Sequence, residues 1–495
     1  MSILDHRLFS LPAVSVLALC AATPTLAQQM TAKDAWAGLR SAAAGAGLTM
    51  SAQSTSDLGN ALSINGLRIF PTSDPRALVV SMDSLRIEPR GDMIAVVPSA
   101  LVTVETLISD GTALTFQIEH DGEILGALSD TDAALDFDFA TLTARLVGST
   151  RQGRPTADSM VISLTGLGAQ MRAAREGSAD VSIGATSVSY DFSLIDGMGY
   201  SQSGDGLIEG PRLTFTATEL DALEGARTLT EATQAGITMR LALSTGPSSG
   251  NSVQNLEGMQ IAMGSTSTES GLELAFVEGR LEGSLYAGAG SIQGGMGPIT
   301  GSATLDGMGL DVLIPLAITP DDQQMRYAFR FDNLRPSPDL MTTLGAGIFA
   351  GDSLSLGLDV GAMGRLVRDI PIDGSEMDDD ESPFDLSELR LDSVLIRVGD
   401  SEFNGTGAIR LIGGLLANMD RDMPDAEGDL TFNLVGGERL LTRVQSLNLI
   451  PVDQLFFVRM MVNGLGRPVG DDHLQSDVAI RSGGVITVNG APLPF

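Results

Sequence analysis

Alternation with a period of two runs through most of this chain, and no other feature limits its fold so strongly. Leu135, Phe137 and Phe139 alternate with Asp136 and Asp138, and Tyr190, Phe192 and Leu194 with Asp191 and Ser193. Leu213 and Phe215 alternate with Thr214 and Thr216. The same rhythm groups Met239, Leu241 and Leu243, then Tyr327, Phe329 and Phe331, then Val394, Ile396 and Val398. Near the end, Leu430, Phe432 and Leu434 alternate with Thr431 and Asn433. Successive side chains of a strand point to opposite faces, so each segment has one apolar and one polar face. Such strands belong to antiparallel sheets, because the strands of βαβ folds are buried on both sides. Asp110-Gly111, Asp121-Gly122, Asp196-Gly197, Asp306-Gly307 and Asn489-Gly490 supply hairpin turns. The expected fold is mainly β. Roughly two dozen strands form one long curved antiparallel, meander-like sheet, or two joined near residue 375.

Helical periodicity is confined to three places. Thr31 to Ala46 has Thr31 as N-cap, Asp34 three residues on, and Ala35, Leu39 and Ala42 on one stripe. Ser337 to Phe349 is a weaker candidate interrupted by glycine. A helical pair is expected over 438–465, with Leu440, Leu441, Val444 and Leu447 on one stripe and Pro451 opening the second helix. That second helix carries Leu455-Phe456-Phe457-Val458-Arg459-Met460-Met461-Val462. Being apolar nearly all round, it is expected to be buried on most sides.

Four segments follow from this. Residues 1–27 read as a signal peptide, 28–371 as a β-rich region with an N-terminal helix, and 372–383 as an acidic linker. Residues 384–495 form a C-terminal β region holding the helical pair. In the first segment Arg7 precedes an apolar stretch from Leu8 to Ala22, and Thr25-Leu26-Ala27 offers small residues for cleavage after Ala27. Ser10 and Pro12 interrupt the stretch, which argues against an uncleaved anchor, and Leu19 argues against lipidation at Cys20. A periplasmic location is the expectation. No later run is long and apolar enough for a transmembrane span.

With 30 basic and 62 acidic side chains the formal charge is −32, which repels phosphate backbones and excludes nucleic acid as a partner. Glycine is abundant, at 58 residues, but without the strict period of collagen. The catalytic inventory is thin. Cys20 is the only cysteine, Lys33 the only lysine, and His120 and His473 the only histidines beyond residue 27. A zinc site, a Cys–His pair or a histidine-based triad therefore lacks parts. Gly351-Asp352-Ser353-Leu354 spells the nucleophile motif of one esterase family, but Gly470 stands where Asp should precede His473. Asp136 and Asp138 offer paired carboxylates that point the same way, toward solvent on this reading. The acidic run of Glu376, Asp378, Asp379, Asp380 and Glu381 lacks the alternating ligands and central glycine of a calcium loop. Gly288 to Gly301 lacks the Gly-Lys-Ser/Thr of a phosphate loop, so turns and strand edges explain it. No catalytic residue, cofactor or metal ligand is assigned.

The last hundred residues carry a more specific pattern. Asn404-Gly405-Thr406-Gly407 is followed by Asp425-Ala426-Glu427-Gly428, Leu430-Thr431-Phe432-Asn433-Leu434, Gly436-Gly437, Leu449-Ile450-Pro451 and Arg459-Met460-Met461. Asn489-Gly490 comes near the end, and Ala35-Trp36 sits in a helix soon after the signal peptide. This order resembles the exported "domain of unknown function 2125" family of gram-negative bacteria, which usually ends with Asn-Gly-Gln where Asn489-Gly490-Ala491 stands here. The resemblance implies an exported β-rich protein without established activity. There is a looser architectural likeness to AsmA-type envelope proteins. The expected partner is a lipid or other hydrophobic ligand on the apolar sheet face. The alternative is a fully packed adaptor that binds another envelope protein.

Overall fold

A computed structural model describes residues 31–45, 47–91, 93–108, 111–128, 132–174, 177–195, 200–256, 258–297, 299–372, 383–418, 425–447 and 451–493. The signal-peptide reading with Cys20, the acidic run 376–381, and the Asp196-Gly197 turn lie outside these residues, as does Asp110. The described chain is mainly antiparallel β, with thirty-two strands, an N-terminal helix and C-terminal helices. Its contacts divide it into two compact units, one of Met1–Leu220 with Leu243–Ala262, the other of Asp221–Ala242 with Met263–Phe495.

The first unit opens on helix α1 (Ala32–Gly45). Thr31 and Asp34 form its reciprocal cap: the Asp34 N–H donates to Thr31 Oγ1 (3.2 Å) and the Thr31 N–H to Asp34 Oδ2 (3.2 Å). The helix packs on strands β1 (Leu48–Ser51), β2 (Leu62–Pro71), β3 (Leu78–Arg90) and β4 (Met93–Pro98). Leu62, Ile64, Leu67, Leu85, Ile87 and Ile94 are buried there, with Trp36 and Leu39 laid against them. Beyond this packet the sheet continues through β5 (Leu101–Leu107), β6 (Thr112–His120), β7 (Asp132–Arg151), β8 (Ser159–Ala174), β9 (Ser187–Ile195), β10 (Ser201–Glu209) and β11 (Ser248–Leu256). Each pairs antiparallel with the next.

The second unit holds a nine-strand meander. Its strands are β12 (Ser270–Val277), β13 (Arg280–Ala287), β14 (Gly307–Pro315), β15 (Gln323–Pro336), β16 (Leu354–Leu366), β17 (Phe384–Val398), β18 (Ser401–Leu411), β19 (Ala426–Val435) and β20 (His473–Arg481). Every strand is hydrogen-bonded to its successor. Residues 372–383 therefore join two strands that pair with each other, β16 and β17, inside one unit. The division between units falls around residues 220–262. Gly288 to Gly301 forms a hairpin from Gly290–Met296 and Ile299–Leu305.

A short helix α2 (Leu229–Gln234) is clasped to the sheet by polar contacts. Thr230 Oγ1 donates to Asp369 Oδ1 (2.7 Å) and accepts from the Ile318 N–H (2.9 Å). Helix α3 (Pro338–Thr343) is capped by Ser337, and Gly345, at φ +73°, ends it. The expected helix over 337–349 is thus cut to six residues followed by the 3₁₀ turn Gly347–Phe349. The C-terminal pair is α4 (Gly437–Ser446) and α5 (Val452–Leu465). Asp472, on the turn before β20, caps α4 by accepting from the Glu438 N–H (2.9 Å).

Candidate functional site

The register of the second unit lines its apolar side chains into rows, because cross-strand partners share a face. One row runs Leu272, Leu285, Leu310, Phe329, Leu358, Val394, Gly405 and Phe432. The next runs Leu274, Gly283, Val312, Tyr327, Val360, Leu391, Gly407, Leu430 and Val478. A third passes through Met308, Phe331, Leu356, Ile396, Phe403, Leu434 and Leu474, and a fourth through Met325, Ala362, Leu389 and Ile409. None of the four holds a charged side chain. A one-residue bulge at Asp392-Ser393, where Leu391 and Val394 face Val360 and Leu358, keeps both ends of β17 on this face.

Four rows two residues apart span about 20 Å along the strands, and nine strands span about 38 Å across them. Among the described residues no element lies over most of this face, although Ala362 of the fourth row is buried. Leu285, Tyr327, Leu358 and Ile396 are 41%, 47%, 37% and 44% exposed, and apart from Gly405 the residues of the first two rows are half-buried or exposed. Phe432 lies over Gly405, where a Cβ would strike its ring, and stacks on Phe403 with centroids 5.8 Å apart. Aromatic side chains here fill the room that glycine leaves.

The opposite face is ionic. Arg326 grips Asp359 through two parallel hydrogen bonds (Nε–Oδ1 2.9 Å, Nη2–Oδ2 2.8 Å), which hold the carboxyl below its ordinary range. Arg397 donates through Nε and Nη2 to one oxygen of Glu402 and Asn404 donates to the other, which lowers that carboxyl too, and Arg481 pairs with Asp429. The sheet is apolar on one side and salt-bridged on the other.

Helix α5 departs from expectation. Among its side chains whose burial is described, only Leu455 is fully buried; Phe456, Phe457, Val458, Met460, Met461 and Leu465 are exposed. Among the described residues α4 packs along one stripe, and only the C-terminal end meets the strands, where Ser476 and Asn489 donate to the Leu465 carbonyl. On that stripe Arg459 reaches Glu438 (2.9 Å) and Gln445 (3.2 Å), beside Leu455. A lone partner helix cannot enclose a segment apolar on all sides. Helix α4 is itself pinned by Arg443, which donates to Asp352 Oδ2 and to the Ile348 carbonyl and lies 4.5 Å from the Phe349 ring centroid.

The residues weighed for chemistry are dispersed. Nε2 of His120 bonds the Ser99 carbonyl (2.9 Å), so that nitrogen carries the proton, while buried Nδ1 has no partner among the described residues. Its ring meets Phe139 edge to face at 5.3 Å. His473 belongs to the other unit, on β20, with Nε2 likewise buried and unpaired among the described residues. The Ser353 carbonyl accepts from the Gly399 N–H, and its neighbour Asp352 is engaged by Arg443. Asp138 faces Glu123 across the strands, and Arg90 takes that glutamate at 2.6 Å; Asp136 faces Leu125 and Gln170. Lys33 pairs with Asp57. A shallow cleft of about 320 Å³ on the first unit is lined by Tyr190, Asp191, Asp205 and Leu207, with Asn251 donating to Asp205. Among the described residues no three His, Cys, Asp or Glu side chains are grouped to hold a metal ion, and no helix is long and apolar enough to cross a membrane.

Sequence reasoning missed the exposure of α5; the alternation identified the apolar sheet face and left open whether it is covered. No protein-family model, curated protein or solved structure matches this chain.

Proposed function

We propose that the protein is a non-enzymatic binder of long apolar chains, such as lipid acyl chains, which lie on the uncovered face of the nine-strand meander. The observation that supports this reading is the set of four uncharged rows whose large side chains stay half-exposed. Apolar patches on monomers rarely exceed about 600 Å² unless they are functional. The face extends about 20 Å along its strands, and one leaflet of a roughly 30 Å hydrocarbon core is about 15 Å deep. A chain laid parallel to the strands is therefore accommodated from end to end. No cation lies in the rows to bind a headgroup, so the headgroup stays at the rim in water. The half-exposed rows favour this reading over that of a packed adaptor, whose sheet face would be buried.

Export belongs to the same proposal. Cleavage after Ala27 and a periplasmic location suit a lipid-handling role, as does the resemblance to the exported domain-of-unknown-function-2125 family. Native mass spectrometry of protein purified from its own compartment, followed by organic extraction, tests the reading. The expected result is an acyl-bearing adduct, a mature chain starting at Gln28, and loss of the adduct in the Tyr327→Asp/Ile396→Asp variant. A ligand-free mass for the parent protein overturns it.

A further inference from the structure

We infer that the outward face of α5 is a docking element for an uncharged lipid surface, with the helix lying in the plane of that surface. The inference goes beyond the binding of chains on the sheet and does not rest on it. Phe456 and Met460 are one turn apart, as are Phe457 and Met461, so the four form two adjacent apolar ridges. Phe456 is 67% exposed and Met460 54%. The rotation of the helix is fixed from the other side by buried Leu455 and by Arg459 on Glu438, Gln445 and Thr442. Between residues 456 and 465 the only charge is that inward-facing arginine.

Charge and area select the occupant. Six partly exposed side chains present about 500 Å², given the ~150–250 Å² of a large side chain. A stable dimer needs about 800 Å² from each partner. A second copy also brings another −32 of charge, and anionic headgroups are repelled for the same reason. A surface of zwitterionic lipid has neither obstacle and demands no shape complementarity, to which flexible methionines are suited. The 14 residues of α5 measure about 21 Å, too short for a hydrocarbon core of about 30 Å but right for an interfacial helix.

Flotation of the full chain with vesicles of phosphatidylcholine alone tests the inference. The parent protein is expected to float equally at low and high salt. The Phe456→Ser/Phe457→Ser/Met460→Ser/Met461→Ser variant is expected to float at least tenfold less while keeping its far-UV spectrum and melting midpoint. The Tyr327→Ser/Ile396→Ser variant of the sheet face floats like the parent, which separates this surface from the chain-binding one. Failure of the parent to float, or equal flotation of the α5 variant, overturns the inference. So does light scattering that shows a concentration-dependent dimer abolished by the α5 substitutions.

Discussion

The packet under α1 and the meander of the second unit are built from the same alternating strands, yet they end in opposite states. In the packet, Ile64, Leu67 and Ile87 have no exposed surface, because α1 lays Ala32, Trp36 and Leu39 over them. In the meander, Tyr327 and Ile396 occupy equivalent inward-alternating positions and remain nearly half exposed. Alternation therefore sets the chemistry of a face, and a separate element decides whether that face becomes a core. The meander is held by its ladder hydrogen bonds and by polar clasps, among them Arg326–Asp359, Arg443–Asp352 and Asp369–Thr230.

Truncation in the packet is the strongest way to break this contrast. Leu67→Ala is expected to destabilise the first unit by about 2–5 kcal/mol, read from the midpoint of urea unfolding. A loss under about 1 kcal/mol would mean that the site collapses and is not a rigid core. Removing a clasp ranks next. Burial pushes the Asp369 carboxyl up, but hydrogen bonds from Thr230, Thr228 and two backbone N–H groups outweigh it, leaving the pKa below the ordinary 3.8. The folded form then binds its proton less readily than the unfolded form. The clasp is fully present above the unfolded pKa and is lost as pH falls through the lower folded value. Asp369→Asn should cost about 1–2 kcal/mol near pH 7, and the gap from the parent should close below about pH 4. A gap that persists unchanged in acid would assign the effect to packing. The smallest effect belongs to the open face, where Leu358→Ala should cost no more than about 1 kcal/mol. A cost matching that of Leu67→Ala would show that something covers the face in solution.

Much of this was legible in the sequence. Tyr327-Phe329-Phe331, Val394-Ile396-Val398 and Leu430-Phe432-Leu434 all fall on one face, and Thr31 and Asp34 cap α1 as their spacing implies. What was hidden depends on tertiary arrangement. The apolar octet of α5 carries no sign of how many neighbours it will have, and Arg459 alone hints that one side meets a carboxylate. The bulge at Asp392-Ser393 looks like a break in alternation until its partners Leu358 and Val360 are known. Glu123, the carboxylate opposite Asp138, is remote from it in the chain and comes beside it only through strand pairing.

The strict succession of the meander bears on how the chain reaches this state. Each of the nine strands pairs with the next one of the meander, across short turns or across insertions such as the 290–305 hairpin, so most closures cost little chain entropy. Proteins dominated by such near-neighbour contacts fold faster than those that must bring distant strands together. The longest excursion lies between β19 and β20, residues 435 to 473, and it is spanned by α4 and α5. Strands β12 to β19 can thus assemble in the order in which they emerge during synthesis. Only the final strand must wait for the helical pair.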